Sequence, residues 1–352
     1  MEWIKPIHGK ISKAPVSLFS IMRNEMYFLP AFLDHYRKLG VDQFLVLDDC
    51  SDDGSTDYLA TQSDCVLLQS PLRFGEKIRL DRGWLRKPVQ MRAEIWMKQV
   101  IPEVFLSNQW HIYVDADEFM ILPQRVCDLK ALTRVLDKSG EVAVAGAMVE
   151  FYPDTIADMR TDERPDRFEQ LIQKNPFFDK GPLISVTSNG SISKHKPSTS
   201  GRLFARHGLN TLPTQEQLRA EGETVISEGK VNWSVGGAVH KVPLFKASRR
   251  DKRMGSHNVS ARLCTDLTLP LCHFKFTGDA FRRMQEAIAS GAWNKGSQKY
   301  QRYVRLLQAM ESGNETFRDE QSVHFESVGD LERAEHLVCG PRILANLAAY
   351  AG

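Results

Sequence analysis

Phe44-Leu45-Val46-Leu47 runs directly into Asp48-Asp49-Cys50-Ser51-Asp52-Asp53-Gly54-Ser55. A short apolar run cut off by acids, serines and a glycine reads as a buried strand whose far end opens to solvent. Upstream, residues 16–21 form a second short apolar run. Between the two, Phe28, Leu29, Phe32, Leu33, Tyr36 and Leu39 recur at helical spacing across 25–39, and Gly40 stops the helix. Downstream, 56–60 starts a short helix and 66–68 supplies a third strand. Strand, helix, strand, helix, strand is the opening of an α/β sheet.

Further along, 88–105 reads as helical, with Met91, Ile95, Met97 and Val100 among its apolar positions. Residues 111–114 form another strand, ending at Asp115-Ala116-Asp117-Glu118-Phe119. A helix is expected over 129–136 and a strand over 142–149. From 151 to about 228 the chain turns polar, with scattered Pro, Gly, Ser and Thr, and reads as substrate-facing loops. Strand-like pieces return at 231–235 and 269–276, followed by helices over 279–288 and 300–310. No internal repeat is evident.

Composition narrows the function classes. The chain has 352 residues, 42% hydrophobic and 26% charged, enough apolar material for a substantial core. A formal net charge of +2 gives no general electrostatic case for nucleic-acid binding. The most basic run, 246–253, is short. No stretch approaches the roughly 20 apolar residues that span a bilayer, and 11–22 is too interrupted for a signal sequence. The six cysteines form no CxxC pair, and a chain this long needs no disulfide staples. The expectation is a cytoplasmic protein, with peripheral attachment at the inner face of the membrane and homo-oligomerisation both left open.

Ligands of open α/β sheets gather outside the carboxyl ends of the strands. Two strand ends here carry clustered acids: Asp48, Asp49, Asp52 and Asp53 after one, Asp115, Asp117 and Glu118 after the other. Hard divalent cations take oxygen ligands, and Mg²⁺ commonly uses one or two carboxylates together with substrate phosphates. Asp115 and Asp117 suit that task, since period-two geometry points them the same way if the strand continues. The competing reading is an ordinary acidic turn.

The chain resembles the family 2 glycosyltransferases, in the bacterial branch that opens on Arg-Asn-Glu and later carries Asp-x-Asp-Glu-Phe. The residues that carry this are Met22-Arg23-Asn24-Glu25, Leu29-Pro30-Ala31-Phe32-Leu33-Asp34-His35-Tyr36, the acid turn through Asp57, and Tyr113-Val114-Asp115-Ala116-Asp117-Glu118-Phe119. His240-Lys241-Val242-Pro243-Leu244, Ser256-His257 and Leu271-Cys272-His273-Phe274-Lys275-Phe276 follow in the right order. The resemblance implies an α/β fold of GT-A type: a mixed, mainly parallel sheet flanked by helices, with a C-terminal helical extension. It places a catalytic domain over 1–290, divided into a donor half of about 12–125 and an acceptor-side half of 126–290, and the extension over 291–352.

It also implies a UDP- or GDP-linked sugar as donor, Mn²⁺ or Mg²⁺, a saccharide or glycolipid acceptor, and inversion at the anomeric carbon. By position, Glu25 and Asp49 are the nucleoside contacts, with Asp48 a rival to Asp49. Asp115 lies by the ribose and metal, Asp117 is the direct metal ligand, and His273 sits near metal and diphosphate. Cys50 and an extra acid interrupt the usual acid-turn motif. No base motif of the family is matched; from the strand end at 142–149 the base is expected among Glu150, Asp154 and Asp158, Glu150 first, with Asp251 and Asp266 later in the chain.

Lys275, beside His273, is divided between a diphosphate contact and a structural role. Arg23, His240 and His257 read more readily as structural, and Trp84, Trp233 and Trp293 as buried aromatics rather than sugar platforms. Gly236-Gly237 permits a tight loop near a ligand. No GxGxxG or GxSxG motif is present. Two rival readings remain: a metal-dependent nucleotidyl or phosphoryl transferase, and a carbohydrate-binding protein without turnover.

Overall fold

The computed structural model describes residues 3–80, 89–160, 163–209, 236–290 and 298–351. The expected strand at 231–235 and the three tryptophans 84, 233 and 293 lie outside them.

The first half of the chain builds β1 (Lys5–His8), β2 (Val16–Met22), β3 (Gln43–Asp48), β4 (Cys65–Gln69), β5 (Lys77–Leu80), β6 (Val89–Arg92), β7 (Trp110–Tyr113) and β8 (Glu118–Met120). The rest adds β9 (Ala143–Glu150), β10 (Phe177–Asp179), β11 (Ile184–Val186), β12 (Ile192–Lys194), β13 (His240–Lys246), β14 (Leu267–His273), β15 (Ser322–His324) and β16 (Val338–Cys339). A ten-stranded sheet runs β1-β4-β3-β2-β7-β13-β9-β14-β16, with β8 also on β14. β4, β3, β2, β7, β9 and β14 share one direction; β13 runs against both of its neighbours, β7 and β9. This is the mixed, mainly parallel sheet with flanking helices that the sequence leads one to expect.

Every residue of β2 and β9 is buried, as covering a sheet on both faces requires. On one face the helix Leu29–Lys38 sets Leu29, Phe32, Leu33 and Tyr36 into the main core, and on the other Ala93–Phe105 covers β2 with Ala93, Met97 and Ile101. Phe32 is wholly buried among Tyr36, Phe44 and Phe119 rings. Truncating such a residue to Ala typically costs about 3–5 kcal/mol.

Several boundaries differ from the sequence reading. The first helix starts at Leu29, with Pro30 in its first turn, where its missing N–H matters least. Glu25 instead belongs to the preceding turn, its carbonyl accepting from Phe28 N at 3.0 Å. The helix expected over 88–105 begins only at Ala93, because Val89–Arg92 pairs antiparallel with Lys77–Leu80. The polar stretch after 151 holds more than loops: helices Ile156–Met159, Phe168–Lys174 and Thr199–Arg206 and strands β10 to β12. β13 was visible only as a motif; its place between β7 and β9 depends on pairing with residues 93 or more positions away, from His240 with Ala147 (240 − 147) upward.

Past residue 298 come the helices Gln298–Ser312, Val328–Arg333 and Pro341–Ala351, but also β15 and β16. β16 pairs with β14 and β15 with β10, so this segment is stitched into the body at two places. No helix among the described residues is long and apolar enough to cross a membrane.

Candidate active site at the carboxyl ends of the strands

The shared direction of β2, β3, β7, β9 and β14 brings Met22, Asp48, Tyr113, Glu150 and His273 to one end of the sheet. The loops leaving β2 and β3 lock together. Asn24 N donates to Ser51 Oγ at 2.9 Å, Glu25 N to Ser55 Oγ at 3.1 Å and Met26 N to Asp53 Oδ2 at 2.9 Å, while Asp52 N returns a bond to Asn24 Oδ1. Asn24 and Cys50 both sit at left-handed φ, which asparagine tolerates well.

This meshwork separates the roles of the doubled acids. Asp48 accepts from Ser51 N and Oγ, and Asp53 from Met26 N, Ser55 N and Ser55 Oγ; both brace the turn. Asp49 accepts from Phe74 N and pairs with Arg73 at 3.1 Å. Burial raises its carboxyl from the ordinary value, against the hydrogen bond from Phe74 and the charge of Arg73.

At the end of β7, Asp115 Oδ1 accepts from Tyr113 Oη at 2.9 Å and Oδ2 lies 3.1 Å from Lys241 Nζ. Half of the Asp115 side chain is open to solvent, whereas Lys241, from β13, is 1% exposed. Burial pushes the Asp115 carboxyl up, but Lys241 and then Lys98 outweigh it and leave it lowered. The Lys241 ammonium also bonds Glu118 and stands 4.5 Å from the centre of the Tyr113 ring. Burial, then the neighbouring Asp115, lift Glu118 to about 8.

β8 lays Glu118 directly opposite His273 on β14, and β9 lays Glu150 opposite His273 in the neighbouring parallel pair. Asp117 Oδ2 lies 3.5 Å from His273 Nε2 and accepts from Arg283 Nη1 at 2.9 Å. Burial opposes the ionised Asp117, but His273 and then Arg283 hold its carboxyl far below the usual range. Arg283 comes from the helix Ala280–Ser290 and also donates to Phe274 O at 3.2 Å. Glu25 faces the same group: burial chiefly raises its carboxyl, opposed by Arg283 and reinforced by Asp117, Asp279 and Asp115.

A third cluster joins this one through His273. Glu150, 1% exposed, accepts from Ser200 N and Oγ at 2.5 and 2.6 Å on one oxygen and from Lys275 on the other. Burial raises its carboxyl, but Lys275 and His273 more than compensate and it is lowered overall. Asp154 stands apart, pairing with Arg318 and Thr316 in contacts that include no member of the acidic cluster.

The structure thus brings together Glu25, Asp115, Asp117, His273, Lys275 and Glu150, while Asp48 and Asp49 sit in the adjoining turn. It adds residues that had no role in the sequence reading: Lys241, Arg283, Ser200 and Tyr303, whose hydroxyl accepts from Lys275 Nζ at 3.3 Å. Of these, only Lys241 lay in a motif, His240-Lys241-Val242-Pro243-Leu244. His257 Nδ1 donates to the His240 carbonyl at 2.7 Å, a structural link. A groove of about 720 Å³ opens elsewhere, lined by Glu141, Arg250, Arg262 and Arg342 near the amino ends of β9 and β14. It holds no gathering of acids and histidine, and chemistry is better argued from the acidic end.

The donor set fits a divalent cation. Ligand atoms of Asp117, Glu118 and His273 all lie within 4.8 Å of one another. Glu118 Oε1 and Glu25 Oε2 are buried with no hydrogen-bond partner among the described residues, and such buried oxygens are rare without a ligand. Asp115, expected as a ligand, instead has one oxygen on Tyr113 and the other on Lys241. Two carboxylates and an imidazole are well matched to Mn²⁺, less so to Mg²⁺.

No family profile matches the chain, and no curated protein matches it. Among solved structures it is similar to S. aureus TarS, at 14% identity and a TM-score of 0.25, over 40% of this chain and 22% of that one. The chain therefore spans about a fifth of that protein, and at such a TM-score the likeness carries no functional weight.

Proposed function

We propose that the chain transfers a sugar from a UDP- or GDP-linked donor to a saccharide or glycolipid acceptor, dependent on Mn²⁺ or Mg²⁺. One observation supports this above the others: Asp117, Glu118 and His273 converge at the carboxyl end of the sheet, where Glu25 and Glu118 each keep a buried carboxylate oxygen without a hydrogen-bond partner among the described residues. Asp117, Glu118 and His273 would hold the ion, which when bound offsets negative charge on a departing diphosphate.

The chain's own residues have separable tasks. Arg283 fixes Asp117 and keeps it ionised; Lys241 does the same for Asp115. Glu25 and Asp49 flank the first loop pair, where a nucleoside would lie. The base expected at Glu150 meets a carboxylate whose two oxygens are already taken, so its role in this reading is to position Lys275 rather than to receive a proton.

The test is a panel of nucleotide sugars with Mn²⁺ or Mg²⁺, following products. Release of nucleoside diphosphate supports sugar transfer; release of nucleoside monophosphate or pyrophosphate would point to nucleotidyl transfer. Binding of sugars with no turnover on any donor would leave the carbohydrate-binding reading.

A further inference from the structure

Lys275 and Lys299 converge on Gly237 from different elements. Lys275 follows β14; Lys299 stands in the first turn of the helix Gln298–Ser312. A Cβ built at Gly237 would lie 2.9 Å from Lys299 Nζ and 3.4 Å from Lys275 Nζ. Gly237 has φ +107°, a conformation that side chains rarely adopt. The space that a side chain at Gly237 would fill is therefore faced by two ammonium groups. Tyr303 supports both: its hydroxyl lies 3.3 Å from Lys275 Nζ, and its ring centre lies 5.7 Å from Lys299 Nζ.

The charges of the two lysines are unequally matched. Glu150 pairs with Lys275, whereas no carboxylate among the described residues lies within salt-bridge distance of Lys299. Burial in the cleft and then the like charge of Lys275 lower Lys299 to about 8. Lys299 is nevertheless exposed to solvent over part of its surface, which moderates the first effect and leaves the ammonium accessible. Glu150 and Asp117 are the carboxylates close enough to act on it at longer range, which sets the cation beside the acidic cluster.

We propose that Lys299 and Lys275, converging on the space over Gly237, form the seat for the terminal phosphate of a nucleoside diphosphate. This rests on the nucleotide-sugar reading above and adds to it a phosphate-holding element outside the acidic motif. Two ammonium groups around one phosphate supply charge-assisted hydrogen bonds without a bound ion.

Titration calorimetry on the full chain, in metal-free buffer, with inorganic pyrophosphate, UDP, GDP, UMP and GMP tests the seat. The wild type should bind pyrophosphate and prefer a diphosphate to its monophosphate. Lys299→Gln should weaken pyrophosphate and diphosphate about tenfold and leave the monophosphate within about twofold, while Lys299→Arg retains most of the preference. Equal affinity of wild type and Lys299→Gln for pyrophosphate, or no pyrophosphate binding by the wild type, overturns the seat even if metal-dependent nucleotide binding persists. Pyrophosphate binding that depends on Lys299 with no nucleotide bound would support the seat and sink the nucleotide reading.

Discussion

Lys241 Nζ lies 3.1 Å from Asp115 Oδ2 in a place where the lysine is 1% exposed. The same ammonium bonds Glu118, so a single buried cation balances two acids of the motif. Lys241→Met should take the partner from the buried Glu118 and the half-exposed Asp115 and destabilise the protein by about 1–3 kcal/mol. Denaturant unfolding measures this, and a loss under about 1 kcal/mol would show that the pairing is incidental.

Asp117 and Asp115 should separate in function. Asp117→Asn removes a carboxylate of the proposed cation site and should abolish the gain in nucleotide affinity on adding Mn²⁺. Asp115→Asn should preserve a measurable part of that gain, because Asp115 is tied to Lys241 and Tyr113. Calorimetry with and without Mn²⁺ decides; an undiminished metal effect in Asp117→Asn would count against the site.

Glu150→Gln keeps an acceptor for Ser200 but leaves Lys275 unpaired in a buried setting. Unfolding at pH 7 should show a loss of about 3 kcal/mol. The folded carboxyl is lowered, so the stabilisation is present above the ordinary carboxylate range and is lost as pH falls through the lowered value. The gap between wild type and variant should therefore narrow in acid; a gap that widens would refute the pairing.

His336 is fully buried, with Nε2 donating to Asp179 O at 2.9 Å, and burial lowers it to about 4. The unfolded chain then binds the extra proton between roughly pH 6.5 and that value, so stability falls as pH drops through this window. Comparing His336→Gln with wild type cancels the other groups. The difference should change by on the order of 3 kcal/mol between pH 7 and pH 4, and a flat difference would contradict it.

The opening strands and their acid ends were legible because each is a short apolar run next to turn formers, and local sequence suffices for that. Glu25 was legible as a site residue but not as a turn residue, since Pro30 sets the helix start. The antiparallel β13 was not, because its neighbours β7 and β9 are distant in sequence and its Lys241 reads as an ordinary cation until burial is known. Arg283 and Lys299 stayed hidden for the same reason: helical periodicity gives a face, not what the face meets. Glu150 was correctly set at a strand end, yet only packing reveals that Lys275 and Ser200 occupy it.

The pairing of β8 with β14 sets Glu118 opposite His273 by register alone. A slip of one residue would turn the imidazole to the other face of the sheet. The two residues are 155 apart in sequence (273 − 118), and closing so long a loop is among the later events of folding. A cation held jointly by Asp117, Glu118 and His273 would thus find no complete set of ligands on a nascent or half-folded chain. Its uptake would report the moment at which the sheet has closed.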